Sequence, residues 1–142
     1  MKRDPRLRGL SLDHHRALKL AHRIIGHSVD DEETRELLVA ARREYSEELK
    51  PHFQIEEDLL LPGLDAAGKG SLVERTLGEH AELARLLEQA ERGISHAALA
   101  RFAHLLKSHV RFEERELFPA AEACLLDETL EQVWKRSQLG TR

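Results

Sequence analysis

The stretch HFQIEEDLLLP, from His52 to Pro62, is repeated as HVRFEERELFP from His109 to Pro119. Both copies follow the pattern His-apolar-x-apolar-Glu-Glu-x-x-Leu-apolar-Pro, and each lies near the end of a segment whose apolar residues have helical spacing. A His and a Glu four residues apart lie on the same face of a helix, one turn from each other. The repeat therefore predicts two helices that each present one imidazole and one carboxylate to the same side.

The His/Glu pairs of the repeat, His52 with Glu56 and His109 with Glu113, are flanked by Leu, Ile and Phe and are expected to face a core. Burying an imidazole and a carboxylate there costs several kcal/mol unless something compensates both groups. A bound metal ion compensates both, because imidazole nitrogen and carboxylate oxygen are metal ligands that reach about 2 Å. The two pairs therefore predict a metal site.

A weaker repeat connects two other helices, where an acid precedes a His on the apolar stripe: Asp13-His14 and Glu79-His80. With these, each of four helices offers one inward imidazole. His15 is the alternative to His14, because it shares a face with other apolar residues of the same helix. The match to Glu79-His80 favours His14.

The periodicity predicts an all-α protein, because no stretch shows the alternation typical of strands. Four main helices with short connections predict an up-down-up-down bundle over about residues 10–125 of a single domain spanning 1–142. A short C-terminal helix follows. The predicted helices cover about residues 10–25, 31–61, 72–92, 95–124 and 127–137.

Local signals predict where these helices begin and end. The first nine residues are expected to form a loose basic lead, with Ser11 or Asp13 capping the first helix. Pro51 is expected to kink or break the second helix, and residues 62–71 are expected to form a loop. Ser95 is the candidate cap of the fourth helix.

Composition excludes several other classes of protein. The net charge of −4 over 142 residues argues against a nucleic-acid partner. The single cysteine, Cys124, excludes a disulfide framework and a Cys-rich metal site, and it fits a reducing compartment. The lack of a signal-like start and of an 18-residue apolar run leads us to expect a cytoplasmic protein without a membrane partner.

These motifs resemble the hemerythrin-like, His-His-Glu cation-binding family over about residues 10–120. The resemblance implies two iron ions with two bridging carboxylates, an oxo or hydroxo bridge and open positions; zinc or manganese also suits such donors. The related dioxygen carriers have a second His one turn away on the third helix, where this chain has Thr76 and Ala84. The four-His, two-Glu set is instead similar to the iron-centre repair proteins of the superfamily. The resemblance implies these ligands: His14, His52, Glu56, His80, His109 and Glu113.

The function that we favour from the resemblance is a module that binds or senses O2, NO or a related oxidant, and not an enzyme. One alternative is an enzyme-like role in reducing NO or peroxide, or in delivering iron to damaged iron–sulfur clusters. Another is iron storage or buffering. Sensing requires a redox or signalling protein as partner, and the chain is expected to be a monomer or a homodimer.

Overall fold

The structure, a computed structural model, describes residues 2–27 and 30–139, without the side chain of Leu139. The described chain is all-helical and contains no strand. A 3₁₀ helix comes first, and three π-helical turns interrupt the α-helices. In chain order the elements are the 3₁₀ helix (Pro5–Leu7), α1 (Arg8–Ile25), α2 (Asp31–Glu44), a π turn (Tyr45–Leu49), α3 (Lys50–Ile55), a π turn (Glu56–Leu60), α4 (Leu61–Ala66), α5 (Gly70–Gly93), α6 (His96–Phe112), a π turn (Glu113–Leu117), α7 (Phe118–Cys124) and α8 (Asp127–Leu139).

The N-terminus is ordered, and the predicted loose lead is wrong for its described residues. Asp4 caps the 3₁₀ helix by accepting a hydrogen bond from the Arg6 amide at 2.8 Å, and proline at the next position favours a helical start. Leu7 is fully buried beside α8 and anchors this turn. The expected caps, Ser11 and Asp13, therefore lie inside a continuous helix and cap nothing.

Each π turn ends two residues before a proline. Proline has no N–H for the carbonyl four residues earlier, and its ring collides with that carbonyl in a regular α-helix. A π turn is wider than a turn of α-helix, so it moves that carbonyl away from the proline ring while the helix continues. The three turn-and-proline pairs are Tyr45–Leu49 with Pro51, Glu56–Leu60 with Pro62, and Glu113–Leu117 with Pro119.

The chain consequently remains helical from 31 to 66 and from 96 to 124. The predicted break at Pro51 is wrong, and the predicted loop at 62–71 shrinks to three residues around Gly68, whose φ is +83°. The cap of α6 is confirmed, because Ser95 Oγ accepts a hydrogen bond from the Ala98 amide at 3.1 Å.

Two apolar clusters form the core. One contains residues of α1, α2 and α5 together with Leu49, Phe53 and residues of α6 from Ala98 to Val110. The other contains Leu7, Leu10, residues of α4, α7 and α8, and Phe112 at the end of α6. α6 packs against both α1 and α5, and α2 packs against α5. Within the described residues, no helix is both long and apolar enough to span a bilayer.

The border between the two clusters is polar. Along α1, His14 separates Leu10 of the second cluster from Ala17 of the first. Along α6, His109 lies between Leu106 of the first cluster and Phe112 of the second. Each buried Leu or Phe contributes about 1.5–3 kcal/mol. This apolar burial fixes the helices on both sides of a layer of imidazoles and carboxylates.

Candidate metal centre

The structure brings all six predicted ligand residues together in this polar layer. Each is buried, with exposed fractions between 0 and 6%. The imidazoles come from four different helices, and each glutamate is the first residue of a π turn. The six residues are His14 on α1, His52 on α3, Glu56, His80 on α5, His109 on α6 and Glu113.

The two oxygens of Glu113 face different pairs of imidazoles. Oε1 lies 2.8 Å from Nε2 of His14 and 3.4 Å from Nε2 of His52. Oε2 lies 3.0 Å from Nε2 of His109 and 3.7 Å from Nε2 of His80. One carboxylate at the centre therefore connects all four helices that carry an imidazole.

Glu56 divides its oxygens in the same way. Its Oε2 lies 2.7 Å from Nε2 of His52, and its Oε1 lies 3.1 Å from Nε2 of His80. The donor atoms consequently fall into two groups of four, within each of which all atoms lie within 4.8 Å of one another. Both groups contain both glutamates; one adds His14 and His52, and the other adds His80 and His109.

Several buried donor atoms at this centre make no hydrogen bond, although they lie close to one another. They are both oxygens of Glu56, Oε2 of Glu113, and Nε2 of His80 and His109. A buried polar atom without a partner costs about 1–3 kcal/mol. These donor atoms lie close together but are not oriented for hydrogen bonds to one another. Cations placed between them would give each atom a partner. The residues present fit bound metal ions.

Each of the four imidazoles turns its other nitrogen, Nδ1, away from the centre and donates a hydrogen bond to a carboxylate. Such partners fix the orientation of a ligating imidazole and raise its basicity. We call these four acids the outer carboxylates. The bonds run from His14 to Glu114 at 2.6 Å, from His52 to Asp13 at 3.0 Å, from His80 to Glu57 at 2.8 Å and from His109 to Glu79 at 2.7 Å.

The outer carboxylates form a closed series around the centre. Every one is the sequence neighbour of a candidate ligand, yet it supports an imidazole on another helix. Asp13 on α1 supports α3, Glu57 supports α5, Glu79 on α5 supports α6, and Glu114 supports α1. The sequence showed an acid beside four of the six candidate ligands but did not show which imidazole each acid would support.

Among the remaining histidines, the structure separates His14 from its alternative. His14 is 4% exposed, whereas His15 lies on the solvent side of α1. His27 and His96 contact each other, with ring centroids 4.7 Å apart, and neither joins the centre. His14 is therefore the residue of α1 whose imidazole reaches the two glutamates.

No side chain takes the place of a second imidazole on α5. Thr76 is buried one turn before His80, but its hydroxyl donates a hydrogen bond to the carbonyl of Leu72 at 2.8 Å. Ala84, one turn after His80, offers no donor atom. Within the described residues, α5 therefore contributes one imidazole to the centre.

The carboxylates keep the imidazoles of the centre protonated. Burial alone lowers the pKa of His80, but Glu113 and Glu56 outweigh it and raise the pKa to about 10. Burial is likewise outweighed by Glu113 at His109, where the pKa rises to about 9. The pKa of Glu113 lies well below its ordinary range, because the nearby imidazolium groups, led by His109, outweigh burial.

Cation binding is expected to release protons. Both His80 and His109 have a pKa above 7, so each carries a proton at pH 7 that a cation must displace from Nε2. Titration with Zn²⁺ at pH 7 should release at least two protons per chain, one from each imidazole. The apparent affinity should increase as the pH rises toward these pKa values. Calorimetry in buffers of different ionisation enthalpy measures the release, and a pH-independent affinity without proton release would contradict the assignment.

The comparisons with known proteins agree with this geometry. The model of the hemerythrin HHE cation-binding domain family matches residues 7–121. An uncharacterized protein of Mycobacterium tuberculosis and one of Mycobacterium bovis are each 36% identical over 112 residues. That match covers 75% of this chain and 66% of each relative, so the chain spans just under two thirds of their length. No solved structure matches the chain.

Proposed function

The chain belongs to the hemerythrin HHE cation-binding domain family, and from this premise we propose that it is a non-haem di-iron protein that binds or senses O2, NO or a related oxidant. We call Glu56 and Glu113 the inner carboxylates. The observation that carries the proposal is that each of them directs one oxygen to the His14/His52 pair and the other oxygen to the His80/His109 pair. A carboxylate placed in this way suits two metal ions side by side. In this proposal residues 1–142 form one metal-binding domain with an up-down-up-down order of its four main helices.

The donor set leaves room for a small exogenous ligand. Each group of four supplies two imidazole nitrogens and two carboxylate oxygens. Iron takes about six donors, so about two positions of each ion remain for other ligands. When bound, iron supplies reversible one-electron chemistry and open positions for a diatomic molecule. The protein contributes the fixed imidazoles, the shared carboxylates and the surrounding apolar clusters, which limit access of bulk water.

The charge at the centre supports iron or manganese over zinc. Imidazole and carboxylate ligands suit iron, manganese and zinc alike, so the donor types do not decide the metal. Within the described residues, Glu56, Glu113 and the outer carboxylate Glu57 form no ion pair with an arginine or lysine. The four imidazoles are neutral when they bind a metal, so this negative charge stabilises ions of higher charge. Iron and manganese reach the trivalent state, and zinc does not.

The test is metal content followed by ligand exposure. The chain is expressed with ample iron, its metals are counted, and it is reduced without air and exposed to O2 and then to NO while its absorbance is recorded. About two irons per chain, one for each group of four donors, are expected. Near-ultraviolet and visible bands that change reversibly with O2 or NO support binding or sensing.

Other outcomes of that experiment separate the competing functions. Two irons that are oxidised with turnover of the added oxidant would favour an enzyme-like role in reducing NO or peroxide. Iron that accumulates well beyond two per chain would favour storage. A chain that holds no iron, and holds zinc or no metal after iron-replete expression, would overturn the di-iron proposal.

A further inference from the structure

Three of the four outer carboxylates are neutralised by an arginine. Each of these arginines approaches the carboxylate that supports an imidazole, and it reduces the negative charge that solvent meets there. The pairs are Asp13 with Arg16 at 3.3 Å, Glu79 with Arg75 at 3.0 Å and Glu114 with Arg3 at 3.2 Å. At these three carboxylates the paired positive charge repels an approaching cation.

The fourth outer carboxylate, Glu57, differs from the others. Its side chain is 36% exposed, the most of the four, and no arginine or lysine within the described residues forms an ion pair with it. Glu57 also lines an open pocket of about 380 Å³ between the segment 45–57 and α5. His80, the most exposed of the candidate ligands, lines the same pocket.

We propose that this pocket is the port through which divalent cations enter the centre, with Glu57 as the carboxylate that receives them. The inference rests on the proposed metal-binding function. The His80 ring connects the port to the centre: Nδ1 lies 2.8 Å from Glu57, and Nε2 lies 3.1 Å from Oε1 of Glu56. A cation that reaches Glu57 therefore needs to pass one imidazole to reach an inner carboxylate.

The charges at the pocket suit a cation. Glu57 contributes a hard oxygen ligand to the lining, and two other lining residues, Ala81 and Ala84, have small side chains that leave space for an ion. One positive charge, Lys50, lies on the exposed lining and opposes entry. Because Lys50 is not a candidate ligand and contacts none of the imidazoles, its charge offers a way to change the entry rate without changing the centre.

The first test is the rate of cation uptake, with Co²⁺ as the probe and rapid mixing followed by visible absorbance. Lys50→Glu should accelerate uptake by at least about threefold at low salt, because a reversed charge raises the local cation concentration. Added salt should reduce the difference. Lys19→Glu is the matched control: it makes the same charge change in the groove between α1 and α2 and should leave the rate close to that of the unmodified chain.

A second pair of variants tests the route itself. Glu57→Gln should slow uptake by about threefold or more. Ala84→Leu fills part of the pocket and should also slow uptake, with the same number of Co²⁺ ions bound at equilibrium. Lys50→Glu and Ala84→Leu with unchanged uptake rates would overturn the port, even when the centre fills normally. Failure of the unmodified chain to bind any Co²⁺ would instead contradict the proposed metal-binding function.

Discussion

Replacing Glu113 with alanine is expected to reduce the metal content from the proposed two ions per chain to at most one. Glu113 belongs to both groups of four donors, and its two oxygens approach all four imidazoles. Glu113→Ala therefore removes one donor from each group of four and the negative charge that lies between the two groups. Glu56→Ala should act in the same way, because Glu56 also belongs to both groups.

The measurement is metal content by elemental analysis, together with helix content by circular dichroism. Glu113→Gln keeps the size of the side chain and removes its charge, so it separates loss of ligation from loss of volume. Glu116→Ala is the matched control, because its side chain lies in the same π turn, is 55% exposed and belongs to neither group. Two metal ions retained in both Glu56→Ala and Glu113→Ala would refute the assignment of the centre.

Phe53→Ala is expected to cause a large loss of stability for a single change beside the centre. Phe53 is 5% exposed and stacks on His80 with ring centroids 3.8 Å apart. Its edge contacts Tyr45 and His109 at centroid distances of 6.4 and 5.6 Å. Truncating such a buried aromatic ring leaves a cavity, and the expected loss is about 3–5 kcal/mol.

Urea unfolding of the metal-free chain measures this loss without a contribution from bound metal. Leu77→Ala is the control, because Leu77 lines the same pocket but is 44% exposed, and its effect should stay within about 0.5 kcal/mol. A Phe53→Ala loss below about 1 kcal/mol would show that the stack on His80 contributes little. In Phe53→Ala the urea concentration at the unfolding midpoint should fall, while the dependence of the unfolding free energy on urea should stay the same.

The six candidate ligands could be predicted because their signal is local. The spacing of four between His52 and Glu56 follows from helix geometry, and its repetition at 109–113 makes a chance occurrence improbable. The choice of His14 over His15 also came from a short pattern, an acid before a His. Burial of all six residues in one layer then follows from four apolar stripes facing one another.

What the sequence did not reveal depends on contacts between distant parts of the chain. Glu114 is 100 residues from the imidazole of His14 that it supports, and no local pattern specifies that pairing. The prediction at Pro51 was wrong for a different reason. The sequence predicts a kink or a break at Pro51. The helix continues because a π turn before Pro51 removes the clash, and propensity rules for regular α-helices do not include that solution.

The closed series of outer carboxylates has a consequence for how such chains can diverge. Because each acid supports an imidazole on another helix, loss of the acid leaves a buried imidazole without its hydrogen bond, and loss of the imidazole leaves the acid without its partner. Relatives that lose one partner should therefore lose or replace the other, and this covariation can be sought in any set of homologous sequences. The pairs expected to change together are Asp13 with His52, Glu57 with His80, Glu79 with His109 and Glu114 with His14.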